Sequence, residues 1–393
     1  MTEQEPVPDG GHALDQGAGP HPCPLPEGEG VKPERPIALA PVGRGRGEGP
    51  LQHALQHVHS QVPVHGGPDA LGVPLHDFST NANACGPCPV ALTALRQAGH
   101  RHYPDPAYTA LRALLAQWHG VAPGRVVIAA SASEFIHRIT AHAARSGLRH
   151  ARLPAHGYGD YARAARNWGL AGATAPGTTP GTEPALHWAC EPSSPLGQAD
   201  AALAAWAQAL GSGALRVLDC AYAPLRLDGL ATALPEGVWQ LWSPNKALGL
   251  TGVRAAYAIA PPVAVVDGSV AALQALAPSW PLGADGVALL TAWVGADAQA
   301  WLAQSLVTLR EWKTAQIQLC ADLGWAVLPG SLANFFTARL PGCDLDAALP
   351  ALRAQGIKLR DCASFGLPGH VRLGVLAPDA QAALALGWRQ CAA

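Results

Sequence analysis

From His65 onward the chain alternates short, uninterrupted apolar runs with Ala/Leu-rich segments whose apolar positions recur every three to four residues. Apolar runs of four to six residues predict strands buried on both faces, and the longer 3.6-residue periodicity predicts helices packed on them. The predicted order is a helix over 107–118, a strand over 126–130, a helix over 133–145, and strands over 149–153, 185–190, 215–219, 239–242 and 255–259. Helices near 158–168 and 199–210 separate the earlier strands. After Leu282 the pattern becomes one long helical stretch, 286–323, followed by strand, helix, strand and a final helix over 378–388. Strands alternating with helices predict an α/β fold, with a mostly parallel central sheet in a large domain and a smaller C-terminal α+β domain behind a connecting helix.

The first 50 residues break this pattern, with ten Gly, ten Pro and no aromatic residue; the first aromatic in the chain is Phe78. Such a segment cannot bury enough apolar surface to offset chain entropy. The expected organisation is therefore a disordered Gly/Pro-rich tail over 1–60, an N-terminal arm and part of the small domain over 61–100, a large domain over 101–280, and a connecting helix with the small domain over 281–393. Charge adds a negative finding. Twenty-six basic and 28 acidic residues in 393, net −2, give no footprint for nucleic acid or an anionic membrane. The apolar stretch 253–266 is interrupted by Arg254, Pro261 and Pro262 and is too short to span a bilayer, and the acidic N-terminus lacks signal-peptide character. A cytoplasmic chain with reduced cysteines is expected, since nine scattered cysteines do not form a disulfide framework.

Lysine is scarce: only Lys32, Lys246, Lys313 and Lys358 occur. Lys246 follows an apolar strand in the loop LWSPNKALGLTGVR, among Ser243, Asn245 and Arg254. An amine at a strand end, flanked by hydroxyl, amide and guanidinium donors, suits a Schiff base with a phosphorylated aldehyde. The other lysines read as tail, polar helix stripe and short strand. Asp219 ends the strand in LDCAYAP, where a carboxylate can pair with a protonated pyridine nitrogen or serve as a turn residue, and Tyr222 lies three residues on. Ala132 and Ser133 stand between a strand and a helix, where backbone N–H groups can receive a phosphate or simply be capped.

The order of these motifs resembles the class I/II aminotransferases of fold type I that use pyridoxal 5′-phosphate, over roughly His65 to the C-terminus. Within that family the closest resemblance is to threonine-phosphate decarboxylase of cobalamin biosynthesis and to histidinol-phosphate aminotransferase. The first rests on HGG at residues 65–67 followed by HDFSTNANACGP at residues 76–87. The resemblance implies that Lys246 forms the imine with the cofactor and moves protons, and that Asp219 holds the pyridine nitrogen protonated. By the same token Tyr222 bonds the phenolic oxygen and Tyr158, in HGYGDY, stacks on the ring. It further implies a phosphate cradle of Ser243, Asn245, Arg254 and the amides of Ala132 and Ser133. Tyr103 would reach the phosphate of a neighbouring subunit in a homodimer. Arg372, in HVRLGV, would take the substrate carboxylate, Arg360 a substrate phosphate, and Asn83 would contact substrate. Departures exist: EPSSPLG puts Ser194 where an asparagine bonds the phenolic oxygen, Cys220 stands for a glutamate, and Ala129 and Ser131 stand for phosphate-loop glycines. The implied activity is decarboxylation of L-threonine O-3-phosphate to 1-aminopropan-2-ol phosphate, with transamination of a histidinol-phosphate-like substrate as the alternative. A third reading is a catalytically weak binding protein on the same scaffold.

Two other motifs carry competing chemistry. Cys85-Gly-Pro-Cys88 has the letters of a dithiol active site, but Pro87 and Pro89 suggest an extended arm rather than a helix start. His65, His76, His102 and His156 lack metal-ligand spacing and read as loop or core residues, with His156 close enough to Tyr158 to touch a cofactor rim. No metal site is expected.

Overall fold

The computed structural model describes residues 65–174, 184–208, 213–230, 233–340, 342 and 344–392. The chain divides into units 1–61 and 62–393, and every described residue belongs to the second. The predicted disordered tail, 1–60, with Lys32, lies outside the described residues.

The described chain opens with strand β1 (His76–Asp77) and helices α1 (Pro89–Arg96) and α2 (Thr109–His119). There follow β2 (Val126–Ala129), α3 (Ala132–Arg145), β3 (His150–Leu153), α4 (Gly159–Asn167), β4 (Ala171–Thr174), β5 (Ala185–Cys190), α5 (Ala202–Gln208), β6 (Leu215–Asp219), β7 (Trp239–Trp242) and β8 (Ala256–Ile259). Helices α6 (Pro262–Val266), α7 (Ser269–Ala275), α8 (Ala284–Trp293) and α9 (Ala296–Asp322) come next. The C-terminal part holds β9 (Ala326–Val327), β10 (Phe335–Arg339), α10 (Leu345–Ala354), β11 (Ile357–Lys358), β12 (Arg360–Asp361), β13 (His370–Gly374) and α11 (Pro378–Ala392).

Seven strands form the central sheet in the order β2-β8-β7-β6-β5-β3-β4. Strand β8 pairs antiparallel with both neighbours, while the remaining pairings are parallel, so β2 through β7 all point their carboxyl ends the same way. In such sheets ligands bind beyond those carboxyl ends, because the loops there converge and helix N-termini follow. The strands are apolar throughout because both faces are covered. Along β2, Val127 and Ala129 pack with Phe135, Ile136, Tyr161, Trp188 and Trp239 on one side, and Val126 and Ile128 with Leu111, Leu115, Leu289 and Trp293 on the other. A four-stranded antiparallel sheet, β12-β13-β10-β9, and a parallel pair, β1-β11, complete the fold. Their core is Phe78, Trp325, Phe336, Leu352, Leu384 and Trp388.

The sequence pattern needs three corrections. The long helix expected over 286–323 is two helices, α8 and α9, because Gly295 turns extended (φ −70°, ψ 142°) as the N-cap of α9, with Asp297 in its first turn. Strand β4, Ala-Gly-Ala-Thr, carries no hydrophobic signal and exists through its parallel pairing with β3. Residues 89–96 form α1, so Cys88 is a helix N-cap with Pro89 in the first turn, not part of an extended arm.

Candidate active site

The loop after β7 carries Lys246, half-buried, and it is gripped by the segment that precedes α1. The Asn83 backbone N–H donates to Lys246 O at 2.9 Å, and Cys88 N–H donates to Leu248 O at 2.8 Å. Asn83 Nδ2 donates to Ala247 O at 3.1 Å and to Ser305 Oγ of α9 at 2.7 Å, while its Oδ1 accepts from Cys85 N–H. Asn83, expected at the substrate, thus has its amide engaged in tying the lysine loop to α9. Asn245, expected at a phosphate, likewise closes its own loop: Oδ1 accepts from Lys246 N–H at 3.0 Å and Nδ2 donates to Val253 O at 3.4 Å. The grip needs two glycines face to face. A Cβ on Gly86 would stand 2.8 Å from Gly249 Cα and 3.1 Å from Asn83 O, and Gly249 itself has φ +66°. Gly86→Ala is expected to cost about 2 kcal/mol of stability, as overpacking against unyielding backbone does. Thermal unfolding of the apo-protein checks this, and an unchanged midpoint would show that the two loops are not held together.

Asp219 closes β6 at the same edge and is buried. Its Oδ1 accepts from Ala221 N–H at 2.9 Å and its Oδ2 from Tyr161 OH at 2.7 Å. Burial pushes the carboxyl above its usual range, opposed by Tyr161, Lys246 and the Ala221 amide. Tyr222, buried against Phe335 at a ring separation of 4.8 Å, lies under the Lys246 amine, which stands 5.4 Å from its ring centre. Tyr158 N-caps α4, and its hydroxyl shares a 3.1 Å hydrogen bond with Ser133 Oγ. Burial raises that phenol well above the ordinary tyrosine range.

At the start of α3, Ser131 is the N-cap, its Oγ accepting from Glu134 N–H at 3.1 Å, and Ala132 and Ser133 occupy the first turn. Glu134 is paired with the buried Arg138, so its charge is offset beside the helix N-terminus. Ser243 Oγ is buried at this edge without a hydrogen-bond partner. Arg254, farther along the chain, is exposed.

Two guanidiniums meet on the side of the small sheet. Arg372, in β13, donates through Nη1 to Ser194 Oγ at 3.1 Å and through Nη2 to Ser79 O at 2.8 Å, and its buried Nε has no partner. Arg360, on the paired strand β12, donates through Nη2 to Ser364 Oγ at 2.7 Å. Both pack on Phe365, at 4.7 Å for Arg360 and 5.7 Å for Arg372. Burial and the neighbouring Arg372 both lower the Arg360 pKa.

Tyr103 stands apart from this cluster, 77% exposed, stacked on Trp280 at 4.4 Å. His156 donates through Nδ1 to Phe365 O at 2.7 Å, which occupies that nitrogen in holding the loop under the arginines. Lys313, expected in a polar stripe, is buried and donates to Asp228 Oδ2 and Ser331 O, each at 2.6 Å.

Three residues at the site carry no assigned role there in the sequence pattern, and one of them, His65, reads in it as a loop or core residue. Asn81 is buried, with Nδ2 3.4 Å from Tyr222 OH and Oδ1 unpartnered. His65, first residue of HGG, lies 5.9 Å from the Tyr158 ring and is influenced by Arg360 and Asp160. Gly66 explains the glycine that follows: a Cβ there would meet Ser79 O at 2.1 Å. Asn81, His65 and Tyr161 all sit in visible motifs, Tyr161 as the last residue of HGYGDY, but nothing local shows that the Tyr161 hydroxyl reaches Asp219.

The sequence model of the family "Aminotransferase class I and II" matches residues 73–386. The chain belongs to this family. It is 30% identical over 338 residues to histidinol-phosphate aminotransferase of Rhodospirillum centenum, covering 79% of this chain and 90% of that one. The same-named protein of Jannaschia sp. is 28% identical over 328 residues, 77% and 87% covered. Among solved structures it is similar to L-threonine-O-3-phosphate decarboxylase of Porphyromonas gingivalis, with TM-score 0.67, 19% identity, and 80% and 98% of the two chains covered. It is also similar to histidinol-phosphate aminotransferase of Sinorhizobium meliloti in complex with pyridoxal-5′-phosphate, with TM-score 0.65, 22% identity, and 89% and 98% covered. This family member therefore has the fold type I architecture and is a pyridoxal-phosphate-dependent enzyme. The polar groups at this edge suit that cofactor: an unpartnered Ser243 hydroxyl and a helix N-terminus for a phosphate, a buried carboxylate to accept from a ring nitrogen, and one half-buried amine for an aldehyde. Among the described residues no helix is long and apolar enough to cross a membrane.

Proposed function

We propose that this enzyme decarboxylates L-threonine O-3-phosphate, yielding 1-aminopropan-2-ol phosphate for cobalamin biosynthesis. The observation that carries the reading is the pair Arg360 and Arg372, two buried guanidiniums that face each other across paired strands and both pack on Phe365, with His65 near Arg360. Two guanidiniums side by side concentrate positive charge at one place, which suits a substrate bearing two anionic groups. Threonine phosphate carries a carboxylate and a phosphate on one small molecule. Histidinol phosphate, the second reading, is favoured by the names of the relatives; it carries the phosphate alone, although a dicarboxylate amino-group partner could use both arginines.

In this reading Arg372 receives the carboxylate as a bidentate fork, Arg360 the phosphate, and Tyr158 covers the ring. Ser243, Arg254 and the amides of Ala132 and Ser133 hold the cofactor phosphate, and Tyr222 and Ser194 face the phenolic oxygen. When bound, pyridoxal phosphate supplies the electron-accepting ring that makes bond cleavage at Cα accessible. Lys246 would hold the cofactor through its side-chain amine and, with substrate bound, would be the group that moves a proton at Cα. Residues 101–280 form the cofactor domain and 281–393 the connecting helix and small domain, and the exposed Tyr103 serves a neighbouring subunit of a homodimer.

The deciding assay supplies L-threonine O-3-phosphate in one reaction and histidinol phosphate with 2-oxoglutarate in another. Carbon dioxide release from the first, with no glutamate from the second, is expected. Glutamate alone would overturn the decarboxylase reading in favour of aminotransfer, and neither product would leave a binding protein on an enzyme scaffold.

A further inference from the structure

Asp219 is held by a residue outside the cofactor shell. Tyr161 stands in the first turn of α4, three positions after the extended N-cap Tyr158. The Tyr161 ring lies flat on Trp188 of β5, 4.5 Å away at 14°, and meets Tyr158 edge-on at 5.8 Å and 87°. It is 1% exposed, so neither rotation nor water offers its hydroxyl an alternative. The hydroxyl therefore has a fixed direction, and it donates to Asp219 Oδ2 at 2.7 Å. A bond to an ionised acceptor at that distance is of the stronger kind. The other groups facing Asp219 are Lys246 and the thiols of Cys190 and Cys220, while Tyr222 lies near the Tyr161 hydroxyl.

The geometry points to Tyr161 as a positioning residue for the cofactor's ring nitrogen, its hydroxyl fixing the direction and the charge of the Asp219 carboxylate that meets that nitrogen. The inference rests on the proposed placement of Asp219 against the pyridine ring. A carboxylate buried this deeply loses hydration, and a charge-assisted hydrogen bond replaces part of it. Without the bond the neutral acid gains ground, the ring nitrogen is held protonated less well, and the pull on electrons at Cα weakens. The aromatic stack gives the device a second function, because the helix that sets the Asp219 donor also sets Tyr158 over the ring face.

Tyr161→Phe removes the hydroxyl and keeps both ring contacts. The test measures binding to apo-protein of pyridoxal phosphate and of its analogue with C–H in place of the ring nitrogen, for wild type, Tyr161→Phe and Asp219→Asn. Tyr161→Phe is expected to weaken pyridoxal phosphate roughly tenfold while leaving the analogue unchanged, as loss of a hydrogen bond to a charged group would. It should also lower kcat severalfold with little change in KM. Equal weakening of both compounds, or of neither, overturns the inference. If Asp219→Asn erases the discrimination between the two compounds and Tyr161→Phe preserves it, Tyr161 alone is misassigned. If Asp219→Asn preserves it, Asp219 does not face the ring nitrogen, and the site reading falls together with this inference.

Discussion

Replacing Lys246 by Ala is expected to abolish covalent retention of pyridoxal phosphate and to lower kcat by about 10⁴-fold or more, the upper range for losing a positioned proton donor and acceptor, with the nucleophile lost as well. Borohydride reduction of the wild-type protein should fix the cofactor to the peptide containing Lys246, and reduction of the variant should fix none. No described lysine can stand in. Lys313 is committed to Asp228 and Ser331, and Lys358 to Gly67 O at 2.6 Å and Asp69 at 2.9 Å. The Lys246 amine makes a weaker commitment, standing above the Tyr222 ring at 5.4 Å, a contact worth up to about 2 kcal/mol. The apo-variant should therefore unfold close to the wild-type temperature, which separates lost chemistry from lost folding. Reducible cofactor on the variant would mean that another amine does the work.

Replacing Arg372 by Met should lower kcat/KM for a carboxylate-bearing substrate roughly 10²–10³-fold, from the removal of about 3–4 kcal/mol of buried, charge-assisted binding. The guanidinium is oriented before substrate arrives, by Ser194 Oγ and Ser79 O and by the faces of Phe335 at 5.6 Å and Phe365 at 5.7 Å. Its unpartnered Nε leaves a donor for a second oxygen. Arg372→Lys keeps the charge and loses the fork, so it should recover only part of the activity. A phosphorylated amine without a carboxylate should lose little. Equal losses on both substrate types would show that Arg372 supports the arm through Ser79 rather than binding the carboxylate.

Local pattern alone located the central strands, the carboxylate that ends β6 and the lysine in the loop that follows β7. Residues 185–190, 215–219 and 239–242 are strands at the predicted bounds, because a sheet covered on both faces leaves an apolar run that no other local structure would need. Lys246 stood out through scarcity, and Asp219 through its place at a strand end. Local pattern could not show what each polar atom meets. Tyr161 reaches Asp219 across 58 positions, Arg372 reaches Ser79 across 293, and Asn83 reaches Ser305 across 222. Those partnerships are set by the path of the folded chain, and they decide the roles. They give Asn83 and Asn245 loop-fastening contacts, bury Lys313 in a salt bridge, and bring His65 and Asn81 to the site. Periodicity records which face of an element is buried, since burial acts on every residue of that face, while a hydrogen bond depends on one atom meeting one other and leaves no repeating trace. For that reason the framework of the cofactor edge was legible in the chain, and the assignment of its polar groups waited for the tertiary structure.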